Sequence, residues 1–183
     1  MADPGRFDPP ARRLPAGCRL RRAASGDAGR IAGLLRADDR REMEALDGRP
    51  ALDVLEDWMR GGCHVLSVRG EATAIFGIVG CPGSSVAPGQ RAATPWAAIV
   101  STLGGDDLAD MMWLSRFQVD SWQRRWPLLQ TVCDTRNSFR RHWLDWLGFE
   151  HRGRVEGFGA AGLPFDLLVR LRVGTPALSA NAP

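Results

Sequence analysis

At 183 residues, with 44% hydrophobic and 25% charged residues, the chain has the composition of a globular domain and enough length for one core. Its net charge of +3 is too small to argue for nucleic acid as a partner, even though every one of its 24 basic residues is arginine. No apolar run approaches the ~18 residues needed to cross a bilayer, and the Pro- and Arg-rich stretch from Met1 to Gly17 lacks the apolar centre of a signal peptide.

Residues 1–17 show no periodicity and are expected to be a disordered arm. A single domain is expected over 18–173, and a flexible tail over 174–183. Cys18 to Arg22 reads as a short strand. Ala24-Ser25-Gly26-Asp27 then caps a helix with Ala28, Ile31, Leu34 and Leu35 on its apolar face. Asp38 to Leu46 is a second helical piece, broken by Asp47-Gly48-Arg49-Pro50. A third runs from Ala51 to Arg60 and stops at Gly61-Gly62.

His64–Val68 and Ala72–Val79 form a hairpin about Arg69-Gly70-Glu71. Gly80 to Pro95 reads as a loop, and Ala97 to Thr102 as the next strand. Asp106 opens a long helix to Trp126, with Leu108, Met112, Val119, Trp122 and Trp126 along one side. Leu128 to Cys133 is a short buried strand. Asp134 to Asn137 then caps a helix whose face carries Phe139, Trp143, Trp146 and Leu147. Gly148 stops it, because a left-handed residue past a helix end is cheapest as glycine. Glu150–Gly159 and Phe165–Arg172 pair as a last hairpin. Cys18, Cys63, Cys81 and Cys133 lie far apart, without paired spacing, and read as reduced and mostly buried; no metal site is expected from them.

Asn137, Gly148 and Phe149 stand at the spacing of the fourth-helix signature Asn-x-x-Ala-x-x-x-Tyr-x-x-x-Gly-Phe, and the chain resembles the GNAT acyltransferases there. The run from Leu20 to Ile31, a strand leading into a helix, is also similar to the usual opening of that family. The runs Asp39 to Glu42 and Arg136 to Phe149 look most like GNAT-like proteins of tailed phages related to internal virion protein A. The resemblance implies an α/β fold, a mixed central sheet with helices on both faces, in the order β-α-α-α-β-β-β-α-β-α-β-β. It implies acetyl-CoA as cofactor if the chain is active.

Two positions depart from the signature. Arg140 stands where the family has a small residue, and Leu144 where it has the tyrosine that is often its general acid; the chain contains no tyrosine. The stretch matching the family's phosphate loop is Thr102, Leu103, Gly104 and Gly105, followed by Asp106 and Asp107. Helix-start N–H groups attract phosphate, but two aspartates in the first turn oppose it. Together with Asn137 these four residues are the candidate cofactor contacts. Glu42 and His142 are the candidate catalytic groups, with Asp39 and Glu44 nearby on the same helix as Glu42. The reading is a GNAT-fold internal virion or morphogenesis component with a degenerate acyltransferase site, in the virion or the bacterial host cytoplasm, with virion or host proteins as partners. The alternative is an active acetyl-CoA-dependent N-acetyltransferase acting on an amine of a protein or small molecule.

Overall fold

The computed structural model describes residues 14–81 and 91–172. The elements are β1 (Cys18–Arg22), α1 (Asp27–Leu34), α2 (Ala37–Asp47), α3 (Ala51–Met59), β2 (Cys63–Val68), β3 (Glu71–Cys81), β4 (Ala92–Ile99), α4 (Gly105–Arg125), β5 (Leu128–Asp134), α5 (Ser138–Trp146), β6 (Glu150–Phe158) and β7 (Leu163–Leu171). They build a seven-stranded sheet in the order β1-β2-β3-β4-β5-β7-β6. Every neighbouring pair is antiparallel except β4 and β5, which are parallel and joined through α4. A parallel pair needs such a crossover, since no tight turn can return the chain in the same direction.

Strand alternation sorts the core onto two faces. Val65, Ile75 and Ala98 share one register face and Leu66, Ala74 and Phe76 alternate with them. On the first face α1 packs on β3 and α3, and Trp58 of α3 meets Trp96 with ring centroids 5.1 Å apart. Gly77 lies opposite Trp96 and leaves room for its ring: a Cβ there would sit 2.9 Å from the indole. On the second face α4 lies over Phe76, whose ring meets Trp122 edge-on at 6.2 Å. Ile31, Val54, Leu55, Val65 and Ile75 are fully enclosed.

Several expectations need correction. The strand expected at Ala97–Thr102 is instead Ala92–Ile99, and β3 extends through Gly80 to Cys81. Only residues 82–90 of the expected loop fall outside the described residues. Leu34 is the last residue of α1 and is exposed, while Leu35 leaves the helix to pair with Val100. Leu14 to Gly17, assigned to a loose arm from sequence, form a turn closed by Cys18 N–H on the Pro15 carbonyl, with Leu14 against the core. The remainder of that arm and the tail lie outside the described residues. Trp146, expected on the buried face of α5, is 41% exposed; Trp143, Leu144 and Leu147 are the residues that pack inward.

Gly148 ends α5 as expected. Its φ is +84°, its N–H donates to Asp145, and Phe149 N–H donates to Leu144. Asn137 caps the other end, its side chain accepting from Arg140 N–H at 3.1 Å. Among the described residues, no helix is long and apolar enough to cross a membrane.

Candidate active site

β4 and β5 pair only at Ala92–Leu128 and Ala93–Leu129, then part. The backbone groups of β4 can be followed through this opening. Val100 N–H donates to Thr73 on the β3 side, and the unbroken β3–β4 register then directs residues 98, 96, 94 and 92 the same way. Residues 99, 97, 95 and 93 therefore present their backbone groups toward β5. At the far end that edge is taken by the link between α1 and α2: Arg36 N–H donates to Ile99 and Ser101 N–H to Leu34. Between this link and Ala93, among the described residues, no strand pairs with the outer edge of β4. Pro95 sits in the gap, where its missing N–H breaks no ladder. Ala97 N–H and the carbonyls of Pro95 and Ala97 point into the opening.

Beside the opening, between the sheet, α4 and α5, is an apolar cavity of about 70 Å³. Pro95, Trp96 and Ala97 form part of its wall, with Trp122 and Leu114 of α4 and Trp143 and Leu144 of α5. Leu144 thus brings an alkyl side chain to the position where the resemblance implies a phenol. Arg140 also reaches this wall.

Behind Arg140 lies a buried polar cluster joining α2 to α5. Asp39 and Glu42 are one helical turn apart and face the same way. Asn137 Nδ2 donates to Asp39 Oδ1 at 3.1 Å and to Glu42 Oε2 at 2.8 Å. Arg140 Nη1 lies 3.3 Å from Glu42 Oε1, with the two side chains 13% and 4% exposed. Burial pushes both carboxyls above the usual range, against the opposing pull of the Arg140 charge and the Asn137 hydrogen bonds. Burial likewise, with Glu42 adding to it, pushes the Cys133 thiol up to about 12, away from the thiolate form. Asp134 is held below the usual range chiefly by its hydrogen bonds from Arg136.

The structure therefore brings Glu42 and Asn137 into one cluster. It does not add the other candidates to it. His142 is exposed, its Nδ1 2.7 Å from the Ser138 carbonyl. Thr102 is exposed, Leu103 is buried, and Gly104 and Gly105 open α4. Gly104 provides no side-chain cap, and a Cβ on either glycine would meet nothing within 4 Å. The start of α4 is thus open, with Asp106 and Asp107 in its first turn and Arg69 Nη2 3.2 Å from Asp107. Sequence reasoning registered Arg140 as a departure from the signature, not as the partner of Glu42. The signal was the recurrence of Asp39, Glu42 and Met43 on one side of α2, the face that proves buried.

Comparison of the sequence with family profiles and with curated proteins finds no match. Solved structures do match. A ribosomal-protein-alanine N-acetyltransferase from Brucella melitensis superposes with a TM-score of 0.64 at 11% identity, covering 84% of this chain and 99% of that one. The fold is that of the GNAT acetyltransferases. A spermidine N-acetyltransferase from Vibrio cholerae, solved with CoA and spermine, gives a TM-score of 0.61 at 14% identity over 85% of this chain and 96% of its own. A putative acetyltransferase from Salmonella typhimurium, solved with acetyl-CoA, gives 0.60 at 12% identity over 90% of this chain and 99% of its own. The GNAT fold thus extends over most of the chain, not only over the motif helix.

Proposed function

We propose that this GNAT-fold protein is an acyl-CoA-dependent N-acyltransferase acting on an amine. The observation that carries this reading is the edge of β4 at Pro95–Ala97, with which no described strand pairs and which opens beside an apolar cavity. The pantetheine arm of CoA is extended and carries amides, and such a chain can add to a strand edge as another strand would. Ala97 offers it a donor and an acceptor, and Pro95 an acceptor. CoA supplies the acyl group as a thioester; the rest of the chemistry falls to the protein.

Arg140 brings a fixed positive charge to the cavity wall, suited to stabilising negative charge on a thioester oxygen as an amine adds. Glu42 holds that guanidinium, and the raised pKa values of Glu42 and Asp39 suit them to accept the amine's proton closer to neutrality than ordinary carboxylates do. Attack forms the C–N bond and breaks the C–S bond. Leu144 can give no proton to the departing thiolate, so solvent must. The open start of α4 is the place for the pyrophosphate, with Asp106 and Asp107 weakening it and Arg69 partly offsetting Asp107.

Two observations favour a second reading, a phage virion or morphogenesis component that keeps the fold without the transfer: Leu144 in place of the family's tyrosine, and the acidic first turn of α4. Calorimetric titration with acetyl-CoA separates the two. Ligand at about 1 mM detects binding as weak as about −4 kcal/mol. Saturable heat, followed by release of free CoA thiol when a polyamine or peptide amine is added, supports the enzyme. No heat leaves the second reading.

A further inference from the structure

The inner face of α4 closes the cavity through Leu114, Gln118 and Trp122, while its outer face is turned to solvent. Asp106, Ala109, Trp113, Arg116, Asp120 and Arg124 recur every three or four residues, so they form one ridge, and all six are exposed. The middle of this ridge is aromatic. Trp113 is 38% exposed, and its ring stacks on that of Phe117 with centroids 6.3 Å apart. The exposed Trp146 of α5 lies beside Arg116, whose Nη1 donates to the Trp146 carbonyl at 3.1 Å. Large aromatic side chains gathered on one solvent face mark a contact surface.

The two ends of the ridge carry opposite charge. Asp106 stands in the first turn of α4 and Arg124 in the last, with roughly 27 Å of helix between them. Among the described residues neither has an ion-pair partner. The spacing is symmetrical: Asp106 and Arg124 are each nine residues from Ser115, and Trp113 and Phe117 each two residues from it. A second copy laid antiparallel on this ridge, with a two-fold axis at Ser115, therefore sets Asp106 against the partner's Arg124 at both ends. The same register sets Trp113 against the partner's Phe117 in the middle. Asp110 and Asp120 share the symmetry, but Asp110 is half-buried on the side toward Cys18, and Arg170 holds Asp120 at 2.5 Å. A parallel copy would set acid against acid. A two-fold contact must be its own complement, and this ridge is, in charge and in apolar surface alike.

We propose that this ridge is the interface of a two-fold dimer of the chain, with α4 antiparallel to the same helix of a second copy. The ridge is roughly 30 Å long and 10 Å wide, less than the ~800 Å² that each partner of a standard interface buries. The dimer is therefore weak and reversible. The cavity lies under the opposite face of α4, so the contact stands whether or not the chain binds acyl-CoA.

The test is sedimentation velocity of the full chain from about 5 µM to about 500 µM, the range in which a small contact dissociates. The mean mass of the parent is expected to rise from 20.0 kDa toward twice that value, and that of Trp113→Ala to stay near 20.0 kDa. Asp106→Arg and Arg124→Asp, each alone, put like charges at both ends of the contact and are expected to weaken dimerisation about tenfold at low salt. Mixed in equal amounts, the two variants are expected to associate as the parent does. In that mixed dimer one end pairs the two substituted residues and the other end the two original ones, each time with opposite charges. A parent mass of 20.0 kDa at every concentration overturns the proposal and leaves the ridge to a partner of other chemistry; that measurement needs no variant to fold. Dimerisation that Trp113→Ala leaves intact overturns it too, because the dimer then uses another face. So does a mixture that associates no better than its components.

Discussion

Replacing Arg140 with methionine tests the buried cluster directly. The substitution keeps most of the side-chain stem but leaves Asp39 and Glu42 facing each other with only the Asn137 amide between them. With charge centres ~4 Å apart and an effective dielectric of ~20, the lost attraction to Glu42 is about 4 kcal/mol gross. Relief from burying the guanidinium returns part of that, yet removing one partner of a buried pair still costs about 3–5 kcal/mol as a rule. We expect a loss of about 3 kcal/mol near neutral pH, measured by urea melting.

The pH dependence supplies the sharper check. Both carboxyls are raised in the folded protein. The stability they contribute is therefore present below the unfolded carboxyl range and is lost as pH rises through their folded values. Without Arg140 those values rise further. The loss caused by Arg140→Met should thus shrink markedly near pH ~4.5, where protonation removes the unpaired charge. Adding Glu42→Gln should recover a large part of the loss near neutral pH. An equal loss at both pH values, or simple additivity of the two substitutions, would refute the electrostatic account and leave only lost packing.

Three further outcomes are expected. Gly148→Val should destabilise by about 1 kcal/mol or more, because Gly148 has φ +84° and a Cβ there would sit 3.4 Å from Arg170 Nε; an unchanged denaturation midpoint would dismiss it. Gly77→Val should cost about 1–3 kcal/mol by overpacking, since its Cβ would lie 2.9 Å from the Trp96 ring, and near-ultraviolet circular dichroism should report the displaced indole. Asp106→Asn with Asp107→Asn should tighten acetyl-CoA binding several-fold, more at low salt than at high; an affinity indifferent to both the substitutions and salt would remove the start of α4 from the phosphate site.

Much of α5 was legible because its determinants are local. Asn137 as cap, Phe139 to Leu147 as the packed stretch and Gly148 as the stop all lie within one short segment. β4 was read too late along the chain because Pro95 looks like a strand breaker. It breaks no ladder where it stands, since no described strand pairs with β4 on the side its N–H would have faced. The pairing of Glu42 with Arg140 left only half a signal: Asp39, Glu42 and Met43 recur on one side of α2, but nothing local points to a partner nearly a hundred positions away. Trp146 misled in the opposite sense. Its spacing fits the buried face, but with Trp143, Leu144 and Leu147 filling that face it turns outward, where Arg116 lies 5.4 Å from its ring.

The parting of β4 from β5 also has a mechanical side. It divides the sheet into a four-stranded and a three-stranded leaf, joined at one end by the backbone pairs at Ala92 and Ala93. At the other end the leaves are bridged by side chains of α2 and α5. The first junction is a hinge of ordinary peptide hydrogen bonds, indifferent to pH. The second is a latch of two acids, an amide and one guanidinium, whose grip changes with every proton the acids gain or lose.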